Sequence, residues 1–268
     1  MKSYDAVVIG SGPNGLAAAI RMAQAGASVL VLEGMPTPGG GMRTAELTLP
    51  GFHHDVCAAA HPMGVLSPYL RTLPLERHGL VWDAGSASVA HPFVDGPAAL
   101  LRRSLDATME ELGADAATYG KLVRPFLKDP EGFLSDALAP LRLPKHPLTM
   151  LRFGLLGLRS AVGLGKRFEG ERAKALLAGC AAHSVLSLDM PMTGALGLVF
   201  LITAHVADWP VVRGGSQQLA NALVAHLRSL GGEVWTDHWA RGPADLPPAK
   251  VYLFDTGPDQ LLRIADGA

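Results

Sequence analysis

Gly10, Gly12 and Gly15 stand in a GxGxxG spacing, and a carboxylate, Glu33, follows eighteen residues after the last of them. Glycines so placed let a backbone bend sharply and approach a diphosphate with no side chain in the way. Gly10 permits the tight turn, Gly12 leaves space for the pyrophosphate, and Gly15 lets a helix pack closely on a strand. Ser11, Pro13 and Asn14 complete the turn and are candidate contacts with it. A helix that opens at this point presents free N–H groups and its positive dipole end to phosphate oxygens. Glu33 is positioned to accept hydrogen bonds from ribose hydroxyls, and its charge would repel a 2′-phosphate. These residues predict a dinucleotide site that is not selective for NADP.

A second glycine cluster, PGGGMRT, fills residues 38–44. In a plain NAD-binding unit another helix commonly follows the second strand. Here Gly40 and Gly41 instead predict a backbone crossing that returns towards the phosphates and carries Arg43 and Thr44 with it. Arg43 could neutralise pyrophosphate charge through guanidinium hydrogen bonds. This segment favours FAD over NAD; a solvated surface loop is the alternative reading.

The elements that must hold these residues are legible from pattern. Residues 4–9 and 28–32 read as buried parallel strands, with a helix over 14–25 between them that Gly26 stops. Short alternating runs in 44–52 and 80–94 predict antiparallel strands. Helical periodicity covers 97–112, 114–127, 149–168, 171–185 and 193–206. A late strand–turn–helix–strand series follows, with a helix over 217–230 that Ser216 would cap and Gly231 would stop. Residues 233–236 and 250–255 read as further strands. The fold class is α/β.

Composition narrows the function. The chain has 268 residues, a formal net charge of −1 and two cysteines without CxxC spacing. No basic block is interleaved with aromatics, which argues against nucleic-acid binding. A disulfide framework is not indicated and a reducing compartment fits, so the expected location is cytoplasmic. Residues 6–9 are too short for a signal-peptide core, and the apolar run 193–206 is too short to span a bilayer.

The stretches VVIGSGPNGLAAAIRMAQAG, GGGMRTAELTLPGFHHDVCAAAHPM, AHPFVDG and WPVVRGGSQQLANALVAHLRSLGGEV together resemble the phytoene-desaturase-like FAD-dependent oxidoreductases, within the wider amine oxidase and glutathione-reductase-like flavoproteins. The resemblance implies a Rossmann-type FAD-binding domain with an inserted, mostly helical substrate domain. It places residues 1–80 and 213–268 in the former and 81–212 in the latter. It implies hydride transfer from a hydrophobic substrate to the flavin. Gly40, Gly41 and Arg43 match the family's second flavin motif, and Ala240 falls where the family often holds adenine with backbone atoms. Family members continue beyond this point, so the chain resembles an N-terminal portion whose partner would be a C-terminal half or a second subunit. A non-catalytic dinucleotide-binding subunit is the competing expectation.

Other constellations carry less. His53, His54 and Asp55 lack a further ligand at metal spacing, and no metal site is expected. No GxSxG elbow exists, and no catalytic acid or base can be assigned. His61 and His91, each followed by proline, suit either a substrate cleft or packing. The stretch around Arg152, Arg159, Lys166 and Arg167 mixes leucines with cations. It reads either as a buried helix or as an amphipathic helix in peripheral membrane contact.

Overall fold

A computed structural model describes residues 2–140 and 142–265. The chain opens with β1 (Tyr4–Ile9), α1 (Pro13–Gln24) and β2 (Val29–Leu32). A hairpin of β3 (Thr44–Glu46) and β4 (His53–Asp55), a short α2 (Pro62–Leu66) and β5 (Trp82–Asp83) follow. Next come the hairpin β6 (Val89–His91) and β7 (Ala99–Leu101), then α3 (Leu105–Leu112), α4 (Ala116–Leu127) and α5 (Pro130–Ala137). The helical series continues with α6 (Pro147–Gly157), α7 (Ala161–Gly165), α8 (Glu171–Ala182) and α9 (Thr193–Ala207). The chain then passes through β8 (Val211–Val212), α10 (Gln217–Ser229), β9 (Glu233–Trp235), β10 (Ala249–Phe254) and α11 (Pro258–Ala265). These elements fall into two compact units, Met1–Asp83 with Val211–Ala268, and Ala84–Pro210.

In the first unit four parallel strands run in the order β10-β1-β2-β9. β1 is central because nearly every residue in it is apolar, so both of its faces can be covered. Ala6 pairs with Val29 on one side and Val251 on the other. Leu16, Ala19, Ile20 and Ala23 form the apolar stripe of α1 and pack with Ala6, Val8 and Val31 and with Leu219, Leu223 and Leu227 of α10. Each fully buried Leu or Ile of this layer contributes about 1.5–3 kcal/mol. Val7, Ile9, Leu30 and Leu32 point to the opposite face, where Ile264 of α11 joins them. The crossover strand–helix–strand order with parallel pairing makes this a Rossmann-type sheet.

The second unit is mostly helical. Tyr119, Phe126 and Phe133 are fully buried in it, and Leu176, Leu177 and Leu198 bring α8 and α9 together. Gly197 sets that approach: a Cβ there would lie 3.1 Å from Ala181 Cβ and from Leu177 Cδ1. His205 Nδ1 lies 3.1 Å from the Arg103 carbonyl, which can only accept, so Nε2 accepts from the Tyr119 hydroxyl at 2.8 Å. Asp115 accepts from the N–H groups of Glu169 and Gly170 and so holds the turn that leads into α8.

Two helices expected from periodicity differ in the structure. Residues 97–112 are not one helix: Ala99–Leu101 pair with Val89–His91 as β7, and Ser104 then caps α3 by accepting from Ala107 N–H. Residues 149–168 divide into α6 and α7, because the Ser160 hydroxyl accepts from Gly163 N–H and starts a new helix. Among the described residues no helix is long and apolar enough to cross a membrane.

Candidate functional site

The first glycine turn is built from the sheet outwards. Gly10 has φ +100°, and a Cβ there would collide with the carbonyl oxygen of Asp255 at the end of β10. Pro13 occupies the first turn of α1, where a missing N–H costs nothing. Gly15 is wedged between β1 and β10: its Cβ would lie 2.5 Å from Gly10 O and 2.8 Å from Asp255 Cβ. The first turn of α1 has no acid of its own. Asp255 supplies one from another strand, accepting from Gly15 N–H at 2.8 Å.

Ser11 and Glu33 join this turn to the second glycine cluster. Ser11 N–H donates to Glu33 Oε2 at 3.1 Å, and the Ser11 hydroxyl donates to the same oxygen. Glu33 Oε1 accepts from Met35 N–H at 2.9 Å. Gly39 N–H donates to Ser11 Oγ at 3.0 Å. Gly39 and Gly40 have φ of +132° and +55°, and a Cβ on Gly40 would lie 3.0 Å from Gly12 Cα. The second cluster therefore lies directly against the first. Arg43 Nε donates to Gly40 O at 2.9 Å, which fixes the guanidinium on that segment; among the described residues its terminal nitrogens have no hydrogen-bond partner.

A cavity of about 680 Å³ opens over the C-terminal ends of the strands, the end at which open α/β sheets bind ligands. Gly10, Ser11, Gly12, Pro13, Glu33, Gly40, Gly41, Arg43 and Ala240 all line it. Asn14 is exposed, Gly15 is buried in the helix–strand contact, and neither borders the cavity. Thr44 turns elsewhere: its hydroxyl donates to Asp55 and accepts from Gln217 N–H at the start of α10. Asp55 also accepts from Ser216 N–H. The expected Ser216 cap is absent, because these two residues take the helix-end N–H groups and the Ser216 hydroxyl donates to Ala58 O.

Among the lining residues not singled out from sequence are Asp255, Trp239, Arg241 and Arg263. The Trp239 ring lies against Gly34, where any Cβ would overlap it. The loop bearing Trp239 and Ala240 is tied to the end of β2, with His238 N–H on Glu33 O and Asp237 N–H on Met35 O. Three arginines and two carboxylates thus surround the space.

The remaining candidates resolve by hydrogen-bond logic. His61 Nε2 lies 2.7 Å from Ser216 Oγ. Because the Ser216 proton goes to Ala58 O, the histidine donates to the serine and does not activate it as a nucleophile. Burial holds the His61 pKa below the ordinary histidine value. Cys180 is buried and its pKa is pushed up to about 12 by desolvation. Among the described residues no group of three His, Cys, Asp or Glu side chains could hold a metal ion.

Comparison with known proteins adds four findings. A limonene dehydrogenase subunit of Castellaniella defragrans is 27% identical over 255 residues, covering 89% of this chain and 45% of that protein. Pyridine nucleotide-disulfide oxidoreductase domain-containing protein 2 of Mus musculus is 27% identical over 314 residues, covering 98% of this chain and 51% of that one. The chain spans about half the length of these curated relatives. In fold it is similar to putrescine oxidase, with a TM-score of 0.59 at 20% identity over 98% of this chain and 60% of that chain. Residues 8–73, which include both glycine clusters, Glu33 and Arg43, match the family model described as a NAD(P)-binding Rossmann-like domain.

Proposed function

We propose that the chain binds FAD at the cavity over β1, β2 and β10 and belongs to an FAD-dependent oxidoreductase acting on an apolar substrate. One observation carries the reading: Gly40 is packed on Gly12, and Gly40, Gly41 and Arg43 line the same cavity, where a plain NAD-binding unit commonly has a helix. The volume suits a cofactor site, and only glycine backbone separates the two clusters. Gly12 and Pro13, which line the cavity at the positive dipole end of α1, would take the pyrophosphate, and Arg43 would balance its charge. Glu33 would accept from the adenosine ribose with the lone pairs that Ser11 and Met35 leave free. Trp239 and Ala240 would flank the adenine. When bound, FAD supplies a hydride acceptor; the protein supplies orientation and electrostatics. No residue of this chain is assigned as acid or base.

Titration with FAD, NADH and NADPH by calorimetry tests this. FAD should bind and remain visible as flavin absorbance after desalting. Binding of NADH without FAD would overturn the assignment.

A second polypeptide completing the enzyme is also proposed. Among the described residues β10 pairs only with β1, and its Val251 and Tyr252 are exposed. The Castellaniella relative is named as one subunit of its dehydrogenase, which agrees with this arrangement. Substrate-dependent bleaching of bound flavin should be weak in the isolated chain. Robust bleaching would refute the need for a partner.

A further inference from the structure

Helix α6 in the second unit is turned inside out. Its Phe153 packs on Phe126 and Phe133 at ring separations of 6.2 and 5.1 Å, and Leu156 and Gly157 are buried. Yet Leu148, Leu151, Leu155 and Leu158 are 81%, 61%, 65% and 64% exposed. Their spacing of three, four and three residues puts all four on one helical stripe. Such a stripe normally faces a core. This one faces outwards.

The charge carried by the segment itself is one-sided, and of its cations Arg142 is paired, with Asp136 of α5. Residues 137–168 contain no Asp or Glu, but they carry Arg142, Lys145, Arg152, Arg159, Lys166 and Arg167, in a chain whose net charge is −1. A separate cavity of about 510 Å³ lies beside the stripe, lined by Lys121, Arg152, Arg159 and Arg167 together with Leu155 and Leu122. Among the described residues none of these four cations has a carboxylate partner, whereas Arg102, Arg172 and Arg213 elsewhere are all paired. Leu155 belongs to both the stripe and the cavity wall, so an apolar and an anion-attracting surface adjoin.

We propose that this face docks on an anionic phospholipid bilayer, with a lipid phosphate in the Arg152–Arg159–Arg167 cavity and the α6 leucines in the acyl boundary. An apolar protein partner would need neither the unpaired cations nor the acid-free segment, whereas a lipid carries phosphate and acyl chain next to each other. With eleven residues α6 would lie along the interface and not cross it.

Cosedimentation of the full chain with vesicles tests this, using phosphatidylcholine alone and phosphatidylcholine mixed with phosphatidylglycerol. Binding to the mixed vesicles only, weakened by salt, is expected. Arg152→Gln with Arg159→Gln should lower partitioning roughly 25-fold, and Leu151→Ser with Leu155→Ser should abolish it. All four side chains are exposed, so an unchanged far-ultraviolet spectrum is expected of both variants. Equal binding to both vesicle types, or none to either, would overturn the proposal. So would a wild-type dimer that the leucine variant converts to monomer, or competition by free glycerol phosphate as strong as that by the vesicles.

Discussion

Glu33→Gln separates scaffolding from ligand contact at the centre of the site. Both carboxylate oxygens accept backbone N–H groups, Oε2 from Ser11 and Oε1 from Met35, and the residue is only 9% exposed. An amide has one oxygen, so whichever way it turns, its NH2 meets a backbone donor. Met35 is partly exposed and can reach water, so the amide oxygen should stay on Ser11. The loss is then the Met35 bond and the charge-assisted part of the Ser11 bonds, about 1.5–3 kcal/mol. Glu33→Ala removes every acceptor, leaves Ser11 N–H buried without a partner, and should cost more. A single unfolding midpoint mixes two compact units, so amide hydrogen exchange of the ligand-free protein is the better assay. Protection in 9–12 and 33–41 should fall by roughly tenfold to a hundredfold in Glu33→Gln. Protection within about twofold of wild type would refute the scaffolding role, leaving Glu33 as a ligand contact only.

Gly15→Ala should destabilise the first unit by about 1–3 kcal/mol, because the new Cβ meets Gly10 O and Asp255 Cβ, which cannot rotate away; unchanged amide-exchange protection in β1 and α1 would contradict this packing. Arg43→Met should weaken FAD binding roughly tenfold to a hundredfold through loss of a charged hydrogen bond, read by calorimetry. His61, His205 and His226 all have pKa values held down chiefly by burial, with His78 adding repulsion at His226. Below the ordinary value of 6.5 the unfolded chain therefore binds more protons than the folded one, and stability falls as pH falls. Amide-exchange opening free energies in each unit, corrected for the intrinsic pH dependence of exchange, should be lower near pH 5.5 than near pH 7.5, and a flat profile would show that these histidines protonate freely in the fold.

What could be read from the sequence was local. The run Tyr4–Ile9 is apolar and short, and Gly26 and Gly231 end their helices at φ +84° and +86°, so β1, α1 and α10 were legible from neighbouring residues. Ser160 also carried a readable signal, an N-cap inside an apparently continuous helix, but the leucine periodicity on either side masked it. β7 was hidden for a different reason: Ala99–Leu101 become a strand through pairing with β6, not through their own propensity. Asp255 reaches Gly15 across 240 residues, and only knowledge that β10 lies beside β1 would place it there. Ser216 was misread as a cap because chain geometry puts the Ala58 carbonyl within reach of its hydroxyl, and the bond of Thr44 to Asp55 likewise depends on the hairpin that brings the two together.

A crystal structure of the chain grown with FAD decides whether the cavity over β1, β2 and β10 is a flavin site. The pyrophosphate should lie beside Gly12 and Arg43, the adenosine ribose beside Glu33, and the adenine between Ala240 and Trp239, with the Ser11–Glu33 hydrogen bonds retained. FAD bound elsewhere, or Arg43 turned to solvent with the pyrophosphate unneutralised, would contradict it.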